Sequence, residues 1–519
     1  MKPTAIAAAV VSLLIAAPFA AAAPPDGKGK KPKDEEPQPT VANVEQVGTV
    51  PAPAGIGANF KEIDGRQYMF ATGTAGLYVY DTTDAASPTP VSALPLPHYE
   101  NEDVSVGGNR LLISGDGTAG GSNLVVVDIS NPQLPMVEQV INMNLLGEGH
   151  TATCIQECRY VWVAGSGSIA VIDLDQDAEI ETPDPLPDLN DTGAMEIGAL
   201  RDPADTDEAG NPRSFHEFGW STHDVQVDEA GIAWVVGGNG TIAFDVNPDA
   251  YPVPGKEGAA ALLEPTVVAR TGPNATGDSD FNTVPGSGGE GDTLNDFIHH
   301  NSWRPDASQF QARTKRQAKD SSVRPGELVL ITEEDIWNRD NFTTPGGCES
   351  QGSFQTWQVK ELRTTGPTEG TVQNLDSWTT EFNELVQGDE NPLTGNDVIP
   401  TKGFCSSHYF SEKDGLVATA WYEQGIRFLD VSDPKNIEQK AFYLPEGATM
   451  WAAYWAPNAD DIVYAVDNTR GLIDVLRVDR TAAETAEAVE APLAAHWFDG
   501  QADAVEHSKF GWVCRLGGV

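Results

Sequence analysis

Positive charge is scarce in this chain. Lys and Arg number 32 against 77 Asp and Glu in 519 residues, which leaves a net charge of −45. Such a field repels phosphate backbones and anionic membrane surfaces and excludes nucleic acid as a partner. Long apolar runs are lacking too: beyond residue 23 no segment approaches the ~20 apolar residues of a spanning helix, so no membrane span is expected. The GxSxG, HExxH and Walker fingerprints are missing. Cysteine and histidine are sparse, at five and nine residues, so their positions are informative.

Lys2, an apolar stretch from Ala5 to Phe19 and the run AAAA at 20–23 have the three segments of a secretory signal peptide over residues 1–23. Residues 24–41, beginning PPDGKGKKPKDEEPQPT, mix Pro, Gly and charge and read as a disordered linker. The mature protein is therefore expected to be secreted and extracellular, a setting in which cysteines pair. Cys154 and Cys158, in CIQEC, are placed for a local disulfide; Cys348 and Cys405 flank a long insertion and make a second, with Cys514 left over. Metal binding by the CxxxC pair is the alternative that an oxidising compartment disfavours.

From residue 42 the chain repeats itself. GLYVYDTTDAASP (76–88), NLVVVDISNPQLP (123–135), SIAVIDLDQDAE (168–179), TIAFDVNPDAYP (241–252) and GIRFLDVSDPKN (425–436) share an apolar strand, an Asp and, in most copies, a Pro-bearing turn. ELVLITEEDIW (327–337) and GLIDVLRVDR (471–480) are weaker copies and bring the total to seven. Neighbouring copies lie 47 residues apart from Asp81 to Asp128, 45 from Asp128 to Asp173 and 44 from Asp430 to Asp474. Several short strands in that period form one propeller blade. Stretches at roughly 175–215, 250–295 and 338–403, rich in Pro, Gly, Asp and Asn, read as surface insertions.

The expected fold is all-β: a seven-bladed β-propeller over 42–519 with long loop insertions and a C-terminal extension from about 481. VEQVGTVP (44–51) looks like the outer strand PVSALPLP (90–97) without a preceding partner, whereas GLIDVLRV lacks an outer strand after it. The N-terminal strand is therefore expected to close the last blade, which leaves no free edge at the seam. The strings LVVVDISNP, GIRFLDVSDP and GLYVYDTTD resemble the LVIVD repeat, and the chain from about 42 to 480 is similar to bacterial secreted LVIVD-repeat β-propeller proteins. That resemblance implies the fold and is almost silent on activity.

Aligned on their first strands, five units carry Glu102, His150, His223, His300 and His408 at one position, with Trp451 or Met450, and a residue near Asn59, in the other two. Four of nine histidines on one repeat position is far from scatter. Inner strands line a propeller's channel, so these residues are expected to converge on the axis, where imidazoles and a carboxylate suit Zn²⁺, Cu²⁺, Fe²⁺ or Mn²⁺. Asp103, Asp224, Glu333 and Glu334 are expected to stand behind the rings and orient them. His98, His216 and His299 read as loop or rim residues, and Trp162, Trp234, Trp421 and Trp455 as packing between blades. A divalent metal at the axis is one expectation; a non-catalytic scaffold, whose insertions bind an unidentified protein, glycan or small molecule and whose histidines are structural, is the other. A monomer is expected.

Overall fold

The computed structural model describes residues 39–96, 103–115, 123–143, 149–165, 169–175, 195–199, 201–206, 212–214, 222–238, 240–247, 262–271, 298–314, 316–334, 352–362, 370–381, 406–485 and 487–491. They form a seven-bladed β-propeller, each blade containing four antiparallel strands. Blade 1 runs from Gly55 to Pro95, blade 2 from Ser105 to Asn142, blade 3 from Ala152 to Ala199 and blade 4 from Thr222 to Arg270. Blade 5 runs from Ile298 to Trp378, blade 6 from Phe410 to Leu444 and blade 7 from Met450 to Val478.

The repeated Asp has a structural task. At the end of the third strand in five blades, its Oδ1 accepts the backbone N–H two residues on: Asp81 from Thr83 at 2.9 Å, Asp128 from Ser130 at 2.8 Å, Asp173 from Asp175 at 3.0 Å, Asp245 from Asn247 at 3.0 Å and Asp430 from Ser432 at 2.9 Å. This side-chain turn ends the strand and starts the reversal into the outermost one. The apolar runs before it are covered on both faces. Alternate residues of each strand enter the cluster on either side, so Tyr68 and Phe70 pack towards blade 2 while Met69 and Ala71 pack towards blade 7. Among the described residues, clusters of this kind join every consecutive pair of blades, blade 7 to blade 1 included. The tryptophans lie where expected: Trp162 of blade 3 meets Phe244 of blade 4 edge-on, and Trp378 of blade 5 meets Trp421 of blade 6.

The ring closes as its sequence predicts. Val44–Pro51 pairs with Leu472–Val478, from Val44 opposite Val478 to Pro51 opposite Leu472, and supplies the outer strand of blade 7. Thr40 and Val41, read as the end of the linker, instead belong to a strand, Thr40–Ala42, which adds a fifth member to blade 6 opposite Phe442–Leu444. The outer strands of blades 4 and 5 pair in parallel at Ala269–Gly370 and Arg270–Thr371, joining two blades into one eight-stranded sheet.

The insertions carry more structure than their composition suggests. The outer strand of blade 3 (Met195–Ala199), a hairpin of Arg201–Thr206 and Pro212–Ser214, and the outer strand of blade 4 (Thr266–Arg270) all fall within them. ELVLITEEDIW contributes the second strand of blade 5 (Leu328–Glu334), not a third. The third is Ser353–Val359, buried throughout. Its polar residues hid it: Gln355, Gln358 and Ser353 break the apolar run but find partners inside, as when Trp357 Nε1 donates to Gln355 Oε1 at 2.8 Å and Gln358 Nε2 to Glu327 Oε2 at 2.9 Å. The Cys154–Cys158 disulfide is present, across a turn in which Gln156, Glu157 and Cys158 are left-handed. Cys348, Cys405 and Cys514 lie outside the described residues.

Candidate metal centre

The histidines reach the axis through a repeated irregularity of the inner strand. In blade 4, Thr222 pairs with Gly237 and Asp224 with Val236, so His223 is left without an opposite residue. Blade 5 skips His300 between His299 and Asn301, and blade 7 skips Trp451 between Met450 and Ala452. In blades 3 and 6 one alanine serves two residues. Ala164 O accepts from His150 N at 2.8 Å while Ala164 N donates to Thr151 O at 2.9 Å; Ala420 treats His408 and Tyr409 alike, at 2.9 and 3.1 Å. An extra residue of this kind bends the strand and re-aims one side chain. Here it turns the same position of successive blades to the channel.

His150, His223, His300 and His408 consequently stack in order around the axis, with ring centroids 4.4, 4.1 and 4.1 Å apart along the series. All are buried. Two tautomers follow from their partners. His223 Nδ1 lies 3.0 Å from the carbonyl oxygen of His300, the equivalent residue of the next blade. His408 Nδ1 is bonded in the same way to the carbonyl of Trp451. A carbonyl only accepts, so Nδ1 carries the hydrogen in both rings and Nε2 presents a lone pair. His223 Nε2 is also 2.9 Å from His150 Nε2. Two nitrogens bound to one ion at ~2.1 Å lie roughly 3.0–3.4 Å apart, close to this separation.

Glu334 completes the group. Its Oε2 is 3.8 Å from His223 Nε2 and 3.9 Å from His300 Nε2, and ligand atoms of the three residues all lie within 4.8 Å of one another. Its other oxygen accepts a hydrogen bond from Tyr422 Oη. Gly352, at φ +65°, permits the approach of the chain leading to His408: a Cβ there would lie 2.4 Å from Ser406 Oγ and 2.8 Å from Glu333 O. Ser407 Oγ donates to that same carbonyl at 2.5 Å. Tyr409, Tyr422 and Trp451 wall the site beside His408, and Trp451 touches Ile56 of blade 1.

Burial holds His223 and His300 well below the usual 6.5, and the neighbouring imidazoles push the same way, so both are neutral and able to ligate at neutral pH. Immediately along the strand, burial and the Asp103 charge raise Asp224 to about 7, partly offset by hydrogen bonds from Gln226 and Asn301.

The four predicted histidines thus meet, whereas Glu102 lies outside the described residues, as do His98 and His216. Glu334, expected behind the rings, faces them directly. Glu333 accepts from Ser353 Oγ at 2.6 Å, the opposite side of the strand, because successive side chains alternate. Asp224, expected to orient a ring, is bonded to Asn301 at 2.6 Å and Gln226 at 3.1 Å, and Asp103 to the same Gln226 amide at 2.9 Å. His299 is no rim residue: it is buried between blades 4 and 5, Nδ1 2.7 Å from Thr241 Oγ1. The blade 1 position belongs to Ile56, since Gly55 pairs with Gly73 and the ladder resumes at Ala58 opposite Ala71. Asn59 instead donates to the Val104 carbonyl. Tyr422, on the link from the second to the third strand of blade 6, carries no repeat signal that sequence reasoning could have found.

No family model matches the chain, and no curated protein does. Among solved structures it is similar to the Cps50 (Swd1) β-propeller domain of Myceliophteria thermophila, with TM-score 0.48 and 10% identity over 85% of this chain and 99% of that one. A putative 6-phosphogluconolactonase of Bacteroides fragilis gives 0.46 and 10% over 90% and 98%. The periplasmic gluconolactonase PpgL of Pseudomonas aeruginosa gives 0.46 and 10% over 88% and 97%. Likeness at this level transfers no activity, and the seven-bladed assignment stands on the strand pairing itself.

Proposed function

We propose that this chain is an exported LVIVD-repeat β-propeller that binds one divalent transition metal on its axis through His223, His300 and Glu334, with His150 and His408 beside them. The leader-like residues 1–23 support export, and the repeat strings support the family. One observation carries the metal: His223 Nε2, whose hydrogen sits on Nδ1, faces a Glu334 oxygen at 3.8 Å inside a buried site. Two electron-pair donors held against each other away from water repel unless a cation lies between them. A set of imidazole nitrogens with one carboxylate and no sulfur suits Zn²⁺, Cu²⁺, Fe²⁺ or Mn²⁺.

Bound there, the ion would act as a Lewis acid on whatever occupied an open coordination position. The protein's own part is to hold the donors. Backbone carbonyls of the following blade fix two rings, and Tyr422 fixes one oxygen of Glu334, leaving the other to ligate.

Elemental analysis of protein purified without a histidine tag tests the reading. Near-stoichiometric metal is expected in the wild type, lost in the His150→Ala/His223→Ala double variant and reduced about 10- to 100-fold in affinity by Tyr422→Phe. A wild type that is metal-free, takes up none of the four ions and is fully stable would instead make the histidines structural.

A further inference from the structure

Beyond the imidazoles, the channel holds a second polar group that the proposed metal does not use. Asp224 and Asn301 follow the axial histidines of blades 4 and 5, and Asp103 stands before the inner strand of blade 2. Gln226, two residues beyond Asp224, reaches across the channel. Its single NH2 donates to Asp103 Oδ2 at 2.9 Å and to Asp224 Oδ2 at 3.1 Å, so the carboxylates stand on either side of one amide. Asn301 Nδ2 donates to the same Asp224 oxygen at 2.6 Å.

Three features distinguish this group from an ordinary hydrogen-bonded cluster. Asp224 is fully buried, and both of its side-chain donors, Gln226 and Asn301, meet Oδ2, which leaves Oδ1 without a side-chain partner. Its partners are neutral amides, which satisfy lone pairs but would leave the ionised form uncompensated, so that a cation is what stabilises it. The donors are all oxygen-bearing and carry no imidazole or sulfur, a hard set unlike that of the axial ring. Turned through 180° about its last torsion, each amide presents an oxygen where it now presents hydrogens, a change that costs no backbone movement.

We propose that Asp103 and Asp224, with the amides of Gln226 and Asn301, form a second cation site, one that takes Ca²⁺ and is independent of the histidine ring. Two carboxylates and two amide oxygens are ligands of the kind calcium gathers in an irregular shell, whereas Mg²⁺ demands a stricter octahedron. The site is placed to fasten blade 2 to blades 4 and 5 across the channel.

Calcium titration of chelator-treated full-length protein by calorimetry, in about 0.15 M salt to screen the acidic surface, tests this. One calcium per chain and a calcium-dependent rise in Tm are expected. Both should fall at least about tenfold or vanish in Asp224→Asn. That variant is expected to fold, because blade 5 already has asparagine at the matching position. Asp103→Asn provides a second variant with the same expected loss. The His150→Ala/His223→Ala protein should keep its calcium response, so failure of the transition-metal site and failure of this one are distinguishable. A wild type with no calcium-dependent shift, or one whose response survives both asparagine variants, would overturn the proposal.

Discussion

At the residue scale, the axial site shows what repetition can and cannot mark. Four histidines were legible because a rare residue recurred at one repeat position. Glu334 was misplaced because which face a strand residue takes depends on parity, and a single unpaired residue in the neighbouring strand resets the register without leaving a compositional trace. Ile56 was missed because no histidine marks blade 1, and the position was placed near Asn59 instead. Buried charge at this scale makes stability depend on pH. His223 and His300 are depressed in the folded state, so below 6.5 the unfolded chain binds more protons and metal-free protein loses stability on acidification. Asp224, raised from 3.8 to about 7, has the opposite sign: the folded state holds the extra proton in that window, and its contribution is lost as pH rises through 7. Asp224→Asn removes the opposing proton. The metal-free variant should therefore lose stability more steeply than wild type between pH 6.5 and 4, by about 1.4 kcal/mol per pH unit for one proton, as read from chelator-treated denaturation curves; an unchanged slope would refute the assignment.

At the scale of the element, the blade is a strand sequence punctuated by a side-chain turn. The recurrent Asp was readable as punctuation because its backbone contact is local, two residues away. Asp128→Ala removes the bond to Ser130 N on a half-exposed turn and should cost about 1 kcal/mol in chemical denaturation, with metal content untouched. The third strand of blade 5 shows the limit of such reading. SFQTWQV lacks both the apolar run and the terminal Asp, and its glutamines are buried only because Glu327, Ser353 and Trp357 meet them from neighbouring positions. No local pattern encodes a partner 31 residues away beside the paired strand, as Glu327 is to Gln358. The parallel pairing of Ala269–Arg270 with Gly370–Thr371 was invisible for the same reason.

For the whole molecule, closure was legible because an orphan outer strand at one end matched a missing one at the other. The inter-blade clusters among the described residues make each blade dependent on both neighbours, so an opened ring exposes two apolar faces at once. Deleting residues 39–51 removes the outer strand of blade 7 and the added strand of blade 6 together. Loss of a single cooperative thermal transition and a shift to aggregates in size-exclusion chromatography are expected; a monomer that melts as before would contradict the closure mechanism.

The same seam imposes an order in time. Val44–Pro51 is made before every strand of blades 1 to 6 from Gly55 onward, and its mate, Leu472–Val478, after them all. Until the final hairpin is synthesised the polypeptide is an incomplete arc whose first segment has nothing to hold. Commitment to the native state is thereby postponed until Leu472–Val478 has been made, and a chain that stops before it carries its own defect as an unfinished circle open to proteolysis.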